Sequence, residues 1–227
     1  MNFIVIGLGN FGASLAKKLT ALGHDVIGVD KEAEKVEFFK DTIKNTISMD
    51  ITDIHALKTL PLKDCDMVIV CIGDDFGSSV KTTALLKKLG VQKICGRESS
   101  LIHKTVLNAI GVSNTVNPEY DTAVVFAEKL IMTGVWSIYN ISEDIKIAEI
   151  NIPDEYIGKN FSQIDPGELP NLNILALKYL DKKQSTPSLE KWIAVEMENA
   201  EKDIVLEKDM RFVIKGRKKD IIDFLRL

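Results

Sequence analysis

Histidine and cysteine are scarce: the chain of 227 residues holds three of each. Cys65, Cys71 and Cys95 are odd in number and form no Cys-x-x-Cys pair. That argues against a disulfide framework and against a zinc site. Two of them fall inside strand-like apolar runs, as buried reduced thiols of a cytosolic protein would. The histidines have no acid or base partner at a readable spacing. His24 precedes an expected strand, while His55 and His103 lie on expected helices and read as surface residues. No Ser-His-Asp or Cys-His arrangement is readable, so no catalytic set is expected. No stretch of about 18 apolar residues occurs, and no membrane insertion is expected. An apolar run begins at Phe3, which leaves no room for a signal peptide. A basic half is also missing. The first 140 residues carry 15 basic and 16 acidic side chains, the remainder 14 and 17. A nucleic-acid partner is therefore not expected. The one basic cluster, Lys215-Gly216-Arg217-Lys218-Lys219, reads as a solvated turn.

What is present is an ordinary globular balance, 45% hydrophobic and 27% charged, enough to bury a core. The first half alternates strand and helix. Strands are expected at 3–6, 24–30, 46–49, 66–72, 93–95 and 112–116, and helices at 11–22, 32–40, 53–60, 77–89 and 101–110. The strand runs are apolar without alternation, which predicts burial on both faces and a parallel sheet. The expected fold is α/β, a Rossmann-like doubly wound parallel sheet. An amphipathic helix at 121–133 follows Pro118, and then the pattern changes. Isoleucines at 145, 147, 150 and 152 hold a two-residue spacing at each end with a phase slip between, which predicts a bulged strand. Further strands are expected at 174–178, 204–205 and 212–214, with turns at 165–167 and 181–188. The division predicted is 1–140 for the parallel domain and 141–227 for a small α+β domain, joined near 136–142.

The motif that carries chemistry is Gly7-Leu8-Gly9-Asn10-Phe11-Gly12, set between a strand and a helix. Gly7 allows the tight turn, Gly9 lets the backbone approach a pyrophosphate, and Gly12 lets the helix pack close to the strand. The helix N-terminus offers free N–H groups and a positive dipole end. Asp30 ends the second strand 18 residues past Gly12, where a carboxylate binds a ribose hydroxyl. A carboxylate there disfavours the 2′-phosphate of NADP and leaves NAD, NADH, ATP, ADP and AMP open. Lys31 follows Asp30. Asp50 and Ile51 follow the third strand, where side chains flank adenine, although Asp50 could equally cap a helix. Gly73 follows the fourth strand and could approach the ligand. Arg97 follows the fifth and suits a phosphate or nicotinamide-side contact, or else a surface ion pair with Glu98 or Asp74.

GLGNFG, Asp30, Met49-Asp50 with Thr52-Asp53, and Cys71-Ile72-Gly73 together resemble the RCK (KTN) domain family, which regulates potassium channels and transporters. Asn117-Pro118-Glu119-Tyr120-Asp121 resembles the segment leading into its crossover helix. Ile157-Gly158-Lys159-Asn160-Phe161, residues 173–178 and residues 209–216 resemble its C-terminal domain, RCK-C. The resemblance implies a nucleotide-sensing cytosolic subunit rather than an enzyme; the alternatives are a small NAD-dependent oxidoreductase and a regulator of the same type acting on a different ion transporter. It implies dimers assembled into an octameric ring beneath a membrane-embedded potassium translocation subunit. It implies an adenine nucleotide that shifts the ring between shapes, and Glu119 as the position that can hold a divalent cation. Glu119 is equally readable as a carboxylate favoured by a helix N-terminus. Two departures stand out. Asn10 occupies a position where ATP-responsive relatives often carry arginine, which favours NAD(H), ADP or AMP over ATP. The loop 163–170 carries Glu168 and lacks the arginine that cyclic dinucleotide sites tend to use.

Overall fold

The computed structural model describes residues 1–161, 164, 171–181, 184–185, 190–196 and 204–226. The turns expected at 165–167 and 181–188, and the loop 163–170, lie wholly or largely outside them. The chain divides into two compact units, Met1–Tyr120 and Asp121–Leu227.

The first unit is a six-stranded sheet of β1 (Asn2–Ile6), β2 (Asp25–Asp30), β3 (Asn45–Ser48), β4 (Met67–Val70), β5 (Ile94–Arg97) and β6 (Thr115–Val116). The strand order is β3-β2-β1-β4-β5-β6, and every pairing is parallel. The helices between strands are α1 (Asn10–Ala21), α2 (Ala33–Phe39), α3 (Ile54–Leu57), α4 (Phe76–Lys88) and α5 (Leu101–Ala109). The sheet separates two apolar layers. Ile4 and Ile6 of β1 join Val68, Val70 and Leu86 on one side, while Phe3 and Val5 join Val26, Ile69 and Ala16 on the other. Adjacent β1 residues are thus buried on opposite faces, which explains the unbroken apolar runs. The strand order reverses between β1 and β4, the place where such sheets bind ligands. The expected doubly wound fold is present.

The helix α6 (Pro118–Ile131) begins at the end of this unit. The second unit contains a five-stranded antiparallel sheet, ordered β10-β9-β11-β8-β7. Its strands are β7 (Val135–Asn140), β8 (Ile145–Asn151), β9 (Leu172–Leu180), β10 (Trp192–Glu196) and β11 (Arg211–Arg217), and α7 (Lys218–Phe224) follows. Ala148, Ile150, Leu177, Phe212 and Ile214 pack with Ile221 and Phe224 of α7 in its core.

Three expectations change here. The phase slip in the isoleucines is not a bulge in β8. Lys146, Ala148 and Ile150 are buried in strict alternation, and Lys146 occupies a core-side position where an isoleucine would complete the pattern. Its ammonium reaches Glu128 at 2.9 Å and the Asn140 Oδ1 at 2.6 Å. The bulge is in the partner strand: Val135 faces Ile150 and Ser137 faces Glu149, leaving Trp136 as the extra residue. Second, the stretch 136–142 is largely strand β7 rather than a joint. Third, Lys215 to Lys219 is a strand-to-helix junction, not a turn. Gly216 is a strand residue, and a Cβ there would stand 2.3 Å from the Leu172 Cδ2.

Candidate functional site

A cleft of about 1040 Å³ opens at the carboxyl ends of the strands in the first unit, across the point where strand order reverses. It is lined by Gly7, Gly9, Asn10, Phe11, Asp30, Lys31, Asp50, Ile51, Gly73, Arg97 and Glu119. Of the residues singled out in the sequence, only Gly12 is not in the lining. It lies behind it, where a Cβ would come within 1.9 Å of the Gly7 carbonyl oxygen and 2.9 Å of the Cys71 Cβ. No side chain can occupy that position while α1 keeps its approach to β1.

The glycine turn places the α1 N-terminus at the cleft. Gly7 has φ +96°, a conformation costly for other residues, and its N–H donates to the Val29 carbonyl at 2.7 Å. Gly9 caps α1 without a side-chain hydrogen bond, and a Cβ there would meet nothing within 4 Å. The first turn carries no acidic side chain. Its backbone N–H groups and the helix dipole are therefore free for an anion. Asp30 is 6% exposed. Its Oδ2 accepts from the Leu8 N–H at 2.7 Å and its Oδ1 from the Glu32 N–H at 2.9 Å. One carboxylate thus ties the glycine turn to the segment entering α2. A carboxylate oxygen can accept more than one hydrogen bond, so this one remains able to receive a ribose hydroxyl.

Asp50 does not cap α3; Asp53 does, accepting from the His55 N–H. Asp50 Oδ1 instead accepts from the backbone N–H and hydroxyl of Thr52, at 2.9 and 2.8 Å. Those bonds hold its carboxyl below the usual range. Arg97 pairs with neither Glu98 nor Asp74 but with Glu119. The reason is the β5–β6 pairing, which sets Arg97 opposite Val116 and brings Glu119 alongside. The Glu119 carboxyl is held low by its own backbone N–H and by Arg97. Glu98 is buried and reaches Lys104 at 3.4 Å. Among the described residues, no three acidic, histidine or cysteine side chains are grouped to hold a metal. Glu119 is paired with Arg97, and a cation beside it would need ligands beyond this carboxylate.

The cleft also contains residues the sequence did not single out. Asp75 caps α4 through the Ser78 N–H at 2.9 Å and hydroxyl at 2.6 Å. Lys35 lies one turn beyond Lys31 and pairs with Glu32 at 2.7 Å. The position four residues past Lys31 was the available signal for it. His103 departs from its surface assignment: it is fully buried, with its ring 5.1 Å from that of Phe76. Cys71 lines the cleft floor, and burial pushes its thiol up to about 12. All three cysteines are free. No helix among the described residues is long and apolar enough to cross a membrane.

Residues 3–118 match the TrkA-N domain family. The chain belongs to this family. It is 34% identical over 176 residues to the Ktr system potassium uptake protein C of Bacillus subtilis (strain 168), covering 78% of this chain and 80% of that protein. It is 31% identical over 222 residues to the Ktr system potassium uptake protein A of the same organism, covering 98% of this chain and 94% of that one. The fold of the whole chain is similar to the GsuK RCK domain, with a TM-score of 0.61 at 15% identity, covering 100% of this chain and 47% of that one. The TrkA-N match spans the cleft and all its lining residues except Glu119.

Proposed function

We propose that this TrkA-N family protein is a nucleotide-sensing regulatory subunit of a potassium uptake system, not an enzyme. The observation that carries this reading is the cleft: an uncapped helix N-terminus and a buried carboxylate face one cavity at the reversal point of a parallel sheet. Similarity to a Ktr potassium uptake protein along nearly the whole chain supports the potassium system as its setting. In this reading the first unit, Met1–Tyr120, binds the nucleotide and the second, Asp121–Leu227, is regulatory, so the boundary expected at 140 moves toward the N-terminus. The chain acts at the inner face of the membrane through a membrane-embedded translocation subunit, and as a dimer or larger ring.

An adenine nucleotide supplies ribose hydroxyls and phosphate charge, and the lining residues suit both. Asp30 accepts from the ribose. Lys31, Asp50 and Ile51 flank the adenine side. The N–H groups of Asn10, Phe11 and Gly12, beside Gly7 and Gly9, receive the phosphates. Gly73 and Arg97 border the far side. Carboxylates outnumber cations in this lining: Asp30, Glu32, Asp50, Asp74, Asp75 and Glu119 against Lys31, Lys35 and Arg97. With Asn10 in place of a cation, this balance favours NAD(H), AMP or ADP over ATP. Glu119 borders the phosphate side, where it could hold a divalent cation only together with ligands from the nucleotide or a second chain. A regulatory ligand acts only by binding one conformation better than another.

Calorimetric titration of the full chain with ATP, ADP, AMP, NAD and NADH, with and without magnesium, tests the reading. Saturable heat is expected for the less charged nucleotides. No heat from any of the five would overturn it.

A further inference from the structure

We propose that Glu119 is a built-in competitor for Arg97, so that the cleft selects ligands by the phosphate they bring to the carboxyl end of β5. This rests on the nucleotide reading above. Arg97 is the fixed partner of the pair. Its side chain is 15% exposed, against 62% for Glu119. Its guanidinium lies against Gly73, where a Cβ would fall 2.3 Å from Nη1. It also sits 5.9 Å from the centre of the Phe11 ring, in the first turn of α1. The arginine is therefore set between the phosphate-binding helix end and the β4 terminus before any ligand arrives.

Its hydrogen-bonding capacity is underused. Glu119 contributes one oxygen, Oε1, to Nη2. Nη1 reaches the Cys71 carbonyl only at 3.5 Å, and the buried Nε has no partner. A guanidinium fork is best matched by a bidentate oxyanion, and a phosphate has the oxygens that a singly engaged carboxylate does not offer. An ion pair with an exposed partner is weak and readily exchanged. Glu119 also loses little on release. It stands in the first turn of α6, where its own backbone N–H and the helix dipole continue to stabilise its charge. A phosphate held at α1 thus takes Arg97 over, and the first turn of α6 loses its tie to β5. Ligands without phosphate gain nothing from this exchange.

A double-mutant cycle on the full chain tests the exchange, using adenosine and ADP as probes in calorimetry. Glu119→Gln is expected to tighten ADP several-fold and to leave adenosine unchanged. Arg97→Gln is expected to weaken ADP, and in that background Glu119→Gln should bring no gain. A gain that persists without Arg97 reflects general charge and overturns the proposal, as does an equal gain for adenosine or no gain at all. Hydrogen exchange supplies the second readout: ADP should speed exchange in the first turn of α6 in the wild type and not in Glu119→Gln. Unchanged exchange in the wild type would also overturn it. If the wild type binds none of the adenine nucleotides, the nucleotide reading itself fails and this inference falls with it. Binding by the wild type without the Arg97-dependent gain removes this inference alone.

Discussion

At the residue scale, Asp30 and His103 are both buried polar groups in the first unit, but burial affects them differently. Asp30 has a donor on each oxygen, so its charge is matched by the backbone of the glycine turn and of the α2 entry. Asp30→Ala would leave the Leu8 N–H buried without its acceptor, a loss of about 1–3 kcal/mol. We expect that loss in chemical denaturation of the first unit, together with abolished nucleotide binding. An alanine variant as stable as the wild type would separate the turn from the carboxylate. His103 is less well matched. Its Nδ1 accepts from the Ser99 N–H at 3.2 Å and lies 3.1 Å from the Ser99 hydroxyl, while Nε2 has no partner. Burial pushes its pKa below the ordinary 6.5, against the pull of Glu98. The unfolded chain therefore takes up this proton at a higher pH than the folded chain does. The contribution is flat above 6.5, and stability falls as pH drops below that value. Circular dichroism melts between pH 7 and 5 should show a steeper loss for the wild type than for His103→Phe. Equal slopes would remove His103 as the cause.

At the element scale, the second sheet carries a cross-strand stack. The Arg211 guanidinium of β11 lies 3.6 Å from the ring centre of Trp136 in β7 and 3.7 Å from that of Trp192 in β10. Its edge meets Glu149 Oε1 of β8 at 2.7 Å, and Lys178 of β9 meets Oε2 at 2.6 Å. Burial opposes ionisation of Glu149, but Lys178 and Arg211 outweigh it and keep the carboxyl low. All five strands thus contribute to one array, and the bulge at Trp136 falls where β7 joins it. Arg211→Ala would separate the rings and leave Glu149 with one cation. Cation–π contacts of this kind are worth about 0.5–2 kcal/mol each. We expect the second unit to unfold at lower denaturant and tryptophan emission to change. Unaltered emission would mean the stack is not kept in solution. The array also bears on what the sequence could disclose. The parallel sheet was legible because both faces of each strand are buried, so hydrophobicity alone marks them. In β8 and β11 it misleads, because Lys146 and Gly216 take core-side positions while Ile145 and Ile147 face outward. Trp192, in β10, lies beside turn formers that mask its strand. In the cleft, the glycines and Asp30 follow a spacing rule and were readable. The Arg97–Glu119 pair, 22 residues apart, follows from β5 and β6 lying side by side, which spacing does not reveal.

At the scale of the whole molecule, two features bear on regulation. The first is α6, which has no buried residue and leaves Phe126, Leu130 and Ile131 58%, 69% and 68% exposed in the single chain. Such a stripe accords with the proposed self-association. Light scattering should give a dimer or larger, and a strict monomer across concentrations would count against the ring. The second is the placement of tryptophan. The chain has two, Trp136 and Trp192, and both belong to the second unit, whereas every cleft residue belongs to the first. Tryptophan emission therefore reports on the second unit, apart from the cleft residues. A passive binder would fill its cleft and leave that signal still. A sensor must favour one conformation of the second unit over another, because coupling between sites is a free-energy difference between states. Titrating the proposed nucleotide should therefore change tryptophan emission along the same saturation curve as the calorimetric heat. In Asp30→Ala both signals should vanish together. Heat without any change in emission would confine the ligand's effect to the first unit and argue against a regulatory role for its binding.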